Sequence, residues 1–165
     1  KRIAETSNFL TEHGIGSMEE LTERCEAASA SAARLKAELR ETGVRIEELT
    51  LKMKHVAAYR QLKPIYDRYQ ASKDKEKFLR GYEREIILFE AAARECKRLG
   101  AVPLPSAERM QAEMDALTAR RAALTAERQK ARREEQDYAA VRRNVEEFLS
   151  PPRQAPARQK DMELE

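Results

Sequence analysis

Few residues in this 165-residue chain have types and spacings suited to chemistry. Its two histidines, His13 and His55, lie far apart, and neither belongs to an HxH, HExxH or Cys/His arrangement, so a metal site is not expected. His13, beside Gly14, reads as a helix-end residue that favours the terminal dipole when protonated, and His55, next to Val56, as partly exposed. Cys25 and Cys96 are well separated and lack a CxxC partner, which suits free thiols in a reducing compartment better than a disulfide framework. Gly-rich phosphate loops and strand-turn-helix nucleophile motifs are absent, and acid pairs such as Glu19-Glu20 and Glu134-Glu135 read as solvated helix faces. The chain is therefore expected to be non-catalytic and to need no cofactor.

One window does suggest binding. Between Leu51 and Tyr82 stand nine bases, Lys52, Lys54, Arg60, Lys63, Arg68, Lys73, Lys75, Lys77 and Arg80, against Asp67, Asp74 and Glu76, a net charge of +6. The whole chain carries +3, from 32 basic and 29 acidic residues, so the placement of charge matters more than its sum. The same window holds Tyr59, Tyr66, Tyr69, Phe78 and Tyr82, five of the nine aromatics. Clustered bases neutralise phosphates and exposed rings stack on nucleobases, so nucleic-acid contact is the functional reading. The competing expectation is that rings spaced seven and three apart fill a small core while the bases form an ordinary solvated face.

The elements that hold this window are helical by composition. Charged residues make up 37% of the chain and aromatics 5%, with five Gly and no Trp, a profile of long helices that excludes most enzyme scaffolds. The length fits one domain. A short helix from about Ile3 to His13 should stop at Gly14-Ile15-Gly16, and Ser17 with Glu20 three residues on is a capping box that should start a long helix. Spacings then alternate three and four through Met18, Leu21, Cys25, Ala28, Ala32, Leu35, Leu39, Thr42, Ile46, Leu49, Met53 and Val56, a coiled-coil seam. Beyond Val56 the register slips and Pro64 intervenes, so a kink or break is expected between Arg60 and Pro64. A further helix should carry Phe78, Tyr82, Ile86, Phe89, Ala93 and Cys96 on one face and end at Gly100.

Ser106 should cap a last long helix reaching about Leu149, with Met110, Leu117, Leu124, Ala131, Tyr138 and Val145 recurring every seven residues. Its alternate positions are Arg121, Arg128, Glu135 and Arg142, and Arg121 and Arg128 are expected to lie across the acidic first helix and reach its Glu side chains. From Glu19 to Glu48 the net charge is −3, and from Leu117 to Arg143 it is +4. These features predict an all-α fold: an elongated antiparallel coiled-coil hairpin with a small helical cap at one end. The expected segments are 1–16 (short helix and turn), 17–59 (first long helix), 60–106 (cap), 107–149 (second long helix) and 150–165 (mobile tail). A parallel homodimer through the first long helix is the structural rival. With no initiator Met, no signal-peptide pattern and no apolar run of transmembrane length, the chain is expected to be a cytoplasmic fragment of a longer protein, without membrane insertion.

The order of short motifs resembles a known family. Asn8-Phe9-Leu10-Thr11-Glu12-His13-Gly14, the long Ala/Glu/Arg helix, Tyr59 with Tyr66 and Tyr69, and Lys77-Phe78 look like the region downstream of the nuclease domain in bacterial relaxases, the mobilization nucleases of conjugative and mobilizable elements of Firmicutes type. The likeness continues through Glu85-Ile86-Ile87-Leu88, Ala91-Ala92-Ala93, Leu104-Pro105-Ser106, Gln111-Ala112-Glu113 and Asn144-Val145-Glu146-Glu147-Phe148-Leu149, covering residues 3–149. It implies a parent whose separate N-terminal domain nicks DNA with a tyrosine and a histidine-held metal. None of that domain matches this chain, so no nucleophile role passes to its tyrosines. The resemblance implies a C-terminal helical module that contacts DNA, self-associates, or docks to other mobilization or type IV secretion coupling proteins. Two alternatives stand beside it: a structural oligomerisation or spacer coiled coil, and a nucleic-acid-binding arm like that of certain tRNA synthetases. The latter would need bases along both arms near the tip.

Overall fold

A computed structural model of the chain describes residues 1–150, and the tail expected from Pro151 onward lies outside them. The fold is all-α. Four helices, α1 (Arg2–Glu12), α2 (Met18–Ala71), α3 (Lys75–Arg98) and α4 (Ala107–Leu149), hold nearly all of the described residues, and no strand occurs among them.

Local sequence explains the helix ends. Gly14 and Gly100 sit at φ 64° and 66°, the left-handed region that a side chain disfavours. After α1 the Ile15 amide donates to the Leu10 carbonyl and the Gly14 amide to that of Thr11; after α3 the Ala101 amide donates to Cys96 and the Gly100 amide to Lys97. This paired pattern satisfies terminal carbonyls and places Ile15 and Ala101 where each packs back on its own helix's core face. At the start of α2, Ser17 Oγ accepts from the Glu20 amide at 3.2 Å, while Glu20 Oε2 accepts from the Gly16 amide at 2.7 Å, one residue earlier than a reciprocal capping box would have it. Ser106 Oγ caps α4 by accepting from the Arg109 amide at 3.1 Å.

The described residues divide into two compact units, 1–33 with 129–150, and Arg34–Arg128. In the first, Leu21, Ala28, Tyr138 and Val141 form a buried cluster to which Phe9, Leu10, Ile15, Met18, Cys25 and Val145 pack. Here α2 and α4 pack on each other, and α1 lies against the same cluster through Phe9 and Leu10. Thr6, 4% exposed, accepts a hydrogen bond from Asn144 Nδ2 at 3.1 Å, an α1–α4 contact that no apolar periodicity announces. Val141 is also buried, three residues past Tyr138 and off the seven-residue stripe. His13 stacks on Phe9 at 4.0 Å as the C-cap residue of α1.

In the second unit Leu49, Val56, Cys96, Ala101 and Met110 are the buried cluster, with Met53, Tyr59, Leu104, Met114 and Leu117 against it. Leu35 and Leu124 are buried, whereas Leu39 and Ile46 are half-buried. Arg120, not the expected Arg121, reaches the acidic helix, donating to Glu38 Oε2 at 2.9 Å; Arg121 is exposed and Arg128 half-buried, and neither forms an ion pair with a described residue. The seven-residue count put Arg121 on the seam, but the side chain one residue earlier has the angle to Glu38. Such an exposed pair contributes little to stability.

The expected break between Arg60 and Pro64, and with it the boundary at 59–60, does not occur: α2 continues through Pro64 to Ala71. Interior proline costs about 3 kcal/mol in an isolated helix. Here Pro64 is exposed, so its ring disturbs no packing. Tyr59 and Tyr66, on either side of it, both lie on Phe89 of α3, with ring centroids at 4.7 and 4.3 Å, so the helix is packed on one ring of α3 from both sides of the proline. The bend falls instead in α3, at Tyr82 (φ −137°, ψ 20°), directly after Gly81. Past this bend Ile86, Phe89, Ala92 and Cys96 are buried and the expected Ala93 only half-buried.

Both thiols are free, and burial pushes each above its ordinary pKa; for Cys25 the Arg142 charge opposes this in part. Cys96 is 1% exposed, while Cys25 is half-buried with its Sγ donating to the Tyr138 carbonyl at 3.5 Å. Because the thiolate is the nucleophile, alkylation of the native protein near neutral pH should be slow at both, and slower at Cys96. Peptide mass mapping after timed iodoacetamide treatment checks this, and modification of Cys96 ahead of Cys25 would contradict it.

Candidate nucleic-acid interface

The nine bases of the Leu51–Tyr82 window do not form one patch. Lys52 is half-buried and lines an open cleft with Glu47, Glu48, Leu51, Arg98 and Leu99. It lies 16 residues before Arg68 on the same helix, roughly 24 Å away at 1.5 Å per residue. Lys54 is exposed on the same stretch of α2. Arg60 donates to the Pro105 carbonyl at 2.5 Å, and Lys63 Nζ donates to both carboxylate oxygens of Asp67 at 2.9 Å. That contact raises the Lys63 pKa above its ordinary value, so this lysine is a charged partner of Asp67 before it is anything else.

The remaining five, Arg68, Lys73, Lys75, Lys77 and Arg80, are all exposed around the turn that joins α2 to α3. The turn is built by short polar contacts. Asp74 Oδ1 accepts from the Lys77 amide at 3.0 Å as the N-cap of α3, and Ser72 Oγ donates to the Asp74 carbonyl at 3.0 Å. The turn therefore uses one of its carboxylates structurally, and Lys63 neutralises Asp67 just before it. From Arg68 to Tyr82 five bases face two acids, Asp74 and Glu76, a net charge of +3.

The rings of this region pack on one another. Tyr66 stacks on Phe89 and tilts against Tyr69 at 6.0 Å, Tyr69 against Phe78 at 6.1 Å, and Phe78 stacks on Tyr82 at 4.8 Å. Phe89 is buried and the others half-buried, so the row forms a small core between α2 and α3 with one side toward solvent. Two bases lie on it: the Arg68 guanidinium 5.7 Å from both the Phe78 and Tyr82 centroids, and the Lys75 ammonium 5.7 Å from that of Tyr69. Sequence reasoning could count these charges and rings but not pair them, because the pairs join residues on either side of the turn.

Among the described residues no group of three or more His, Cys, Asp or Glu side chains could hold a metal ion, and no helix is long and apolar enough to cross a membrane. No family model matches the chain, and comparison with curated proteins and with solved structures finds no match.

Proposed function

We propose that this chain is a non-catalytic helical module, the C-terminal region of a DNA-mobilizing relaxase acting in the bacterial cytoplasm, and that it contacts nucleic-acid phosphates through the α2–α3 turn. The observation that carries the contact is the group of five exposed bases at one turn, where Asp74 is occupied as a cap and Asp67 is held by Lys63. The motif order from Asn8 to Leu149 supports the parent. Phosphate neutralisation by such a cluster gives binding that falls steeply with salt, by a log-log slope of about −0.9 per phosphate on duplex and about −0.7 on single strands.

The test is fluorescence anisotropy with labelled DNA across a salt series. Lys73→Glu, Lys75→Glu and Lys77→Glu together should remove most of the binding, to all sequences alike, whereas Arg132→Glu with Arg133→Glu should matter much less. The three lysines are exposed, so the helical signal should be retained. Binding that survives the triple change, or that is indifferent to salt, would refute the contact.

A second reading has its own observation. Ile87 and Leu88, adjacent on α3, are 55% and 47% exposed, which favours contact with another protein, whether a mobilization or secretion-coupling component or a second copy in an oligomerisation role. Sedimentation of the purified chain, alone and with candidate partners, separates this role from nucleic-acid contact.

A further inference from the structure

Arg68 differs from the other bases of the turn. Its guanidinium carbon stands 5.7 Å from two ring centroids that are themselves stacked at 4.8 Å, and it forms no ion pair with a described residue although it is exposed. Asp67, its neighbour in sequence, is taken by Lys63 at both oxygens, and Asp74 is taken by the Lys77 amide. Glu76, in the first turn of α3, is the carboxylate of the turn left without either engagement. A guanidinium resting on aromatic rings is restricted in its rotamers while its planar fork of N–H donors stays directed outward. That is the geometry of a bidentate contact to an oxyanion such as a phosphodiester.

The same packing bears on which nucleic acid fits. Single strands are held by stacking bases on open aromatic faces. Here Phe78 and Tyr82 stack on each other and carry Arg68, and Tyr69 carries Lys75 between Tyr66 and Phe78. Cations and neighbouring rings therefore occupy part of the aromatic surface that a stacking nucleobase would need, on rings that are already half-buried. The bases of the turn, by contrast, face solvent.

We propose that the turn binds the phosphodiester backbone of duplex nucleic acid without reading base sequence, with Arg68, held on Phe78 and Tyr82, as its bidentate phosphate contact and Lys73, Lys77 and Arg80 as the surrounding charges. This inference rests on the nucleic-acid reading above and adds to it a substrate class and an anchoring residue. Arg68→Lys tests it most directly, since the charge is kept and the planar fork lost.

The experiment is anisotropy with two labelled duplexes of unrelated sequence, one matching single strand, and vesicles containing anionic lipid as competitor. The two duplexes should bind alike and at least as tightly as the single strand. Arg68→Lys should weaken both duplexes roughly fivefold with the salt slope unchanged, and Arg68→Ala should also make the slope shallower by about 0.9. Phe78→Leu, which keeps an apolar side chain but removes the ring under Arg68, should weaken duplex binding in the same direction as Arg68→Lys. Should that variant lose its helical signal, Arg68→Lys at its exposed position still decides the matter. Unchanged binding by Arg68→Lys, alongside loss in the triple lysine variant, would overturn the anchor and leave phosphate contact standing. Absence of any nucleic-acid binding by the unaltered protein would overturn both. A single strand bound far more tightly than duplex, with Phe78→Leu abolishing that preference, would show that the rings stack bases. Vesicles that outcompete duplex would assign the turn to lipid headgroups.

Discussion

Leu124→Ala is expected to lower the free energy of unfolding by about 3 to 4 kcal/mol, within the range for a leucine removed from a site that cannot collapse around the cavity. Leu124 is 0% exposed, the most deeply buried residue of α4, on a helix whose neighbouring positions Ala122, Ala123 and Thr125 are exposed. No other large apolar side chain stands within three residues of it on α4 to take up the lost volume. Leu39→Ala is the internal comparison. Leu39 occupies the same kind of seam position on α2 but is half-buried, so its loss should cost about half as much. Urea unfolding of both variants, followed by circular dichroism, gives the two values. Equal losses would contradict the difference in burial, and a loss below about 1 kcal/mol at Leu124 would mean that the helix repacks without it.

Tyr138→Ala should be comparably severe, about 3 to 4 kcal/mol, because a buried ring is removed from the centre of its unit. Tyr138 is 5% exposed, meets Phe9 edge-on at 5.3 Å and His13 at 5.7 Å, and packs in the cluster with Leu21 and Ala28. It thus receives contacts from α1 and α2 at once. Its removal should loosen α1 in particular, since α1 is held by Phe9 and Leu10 on this cluster, the Thr6–Asn144 hydrogen bond and an exposed Arg2–Glu147 ion pair. A glutamate-specific protease should then cut at Glu5 or Glu12, both exposed, faster than in the unaltered protein. Tyr138→Phe keeps the ring and should be nearly neutral. Arg2→Ala removes the exposed pair with Glu147 and the contact with the exposed Phe148 ring at 5.9 Å, and should leave proteolysis almost unchanged. Proteolysis that responds to Arg2→Ala but not to Tyr138→Ala would invert this account of what holds α1.

The bases of the candidate interface were legible as a count, net +6 between Leu51 and Tyr82, but not as a site. Their positions run along more than four turns of α2, around a turn and into α3, so spacing alone could not say which of them meet. Lys52, beside Glu47 and Glu48, is separated along α2 from the five bases of the turn, Lys63 pairs with Asp67 one turn further on the same helix, and Arg60 donates to the Pro105 carbonyl in the connection after α3. Folding α3 back on α2 packs the tyrosine row against Phe89 and brings Arg68 over two rings of α3. The heptad residues fared similarly. Leu21, Leu35, Leu49, Met110, Leu124 and Tyr138 are buried, but Leu39, Ile46, Leu117 and Val145 are half-buried, and Val141 is buried outside the pattern. A period of seven marks a face, whereas the depth of each position depends on what covers it.

What the amino-acid sequence determined by itself is the all-α class and the helix ends at Gly14, Ser17, Gly100 and Ser106. These depend on interactions within five residues, a cap oxygen three positions from its amide or a left-handed glycine that lets the next amide reach back. What only the tertiary structure decided is the passage of α2 through Pro64, the bend at Tyr82 and the pairing of Arg68 with Phe78 and Tyr82. A proline's local penalty predicts a break, yet Tyr59 and Tyr66 grip one ring of α3 from both sides of it, and packing energy from a residue more than twenty positions away outweighs the missing hydrogen bond.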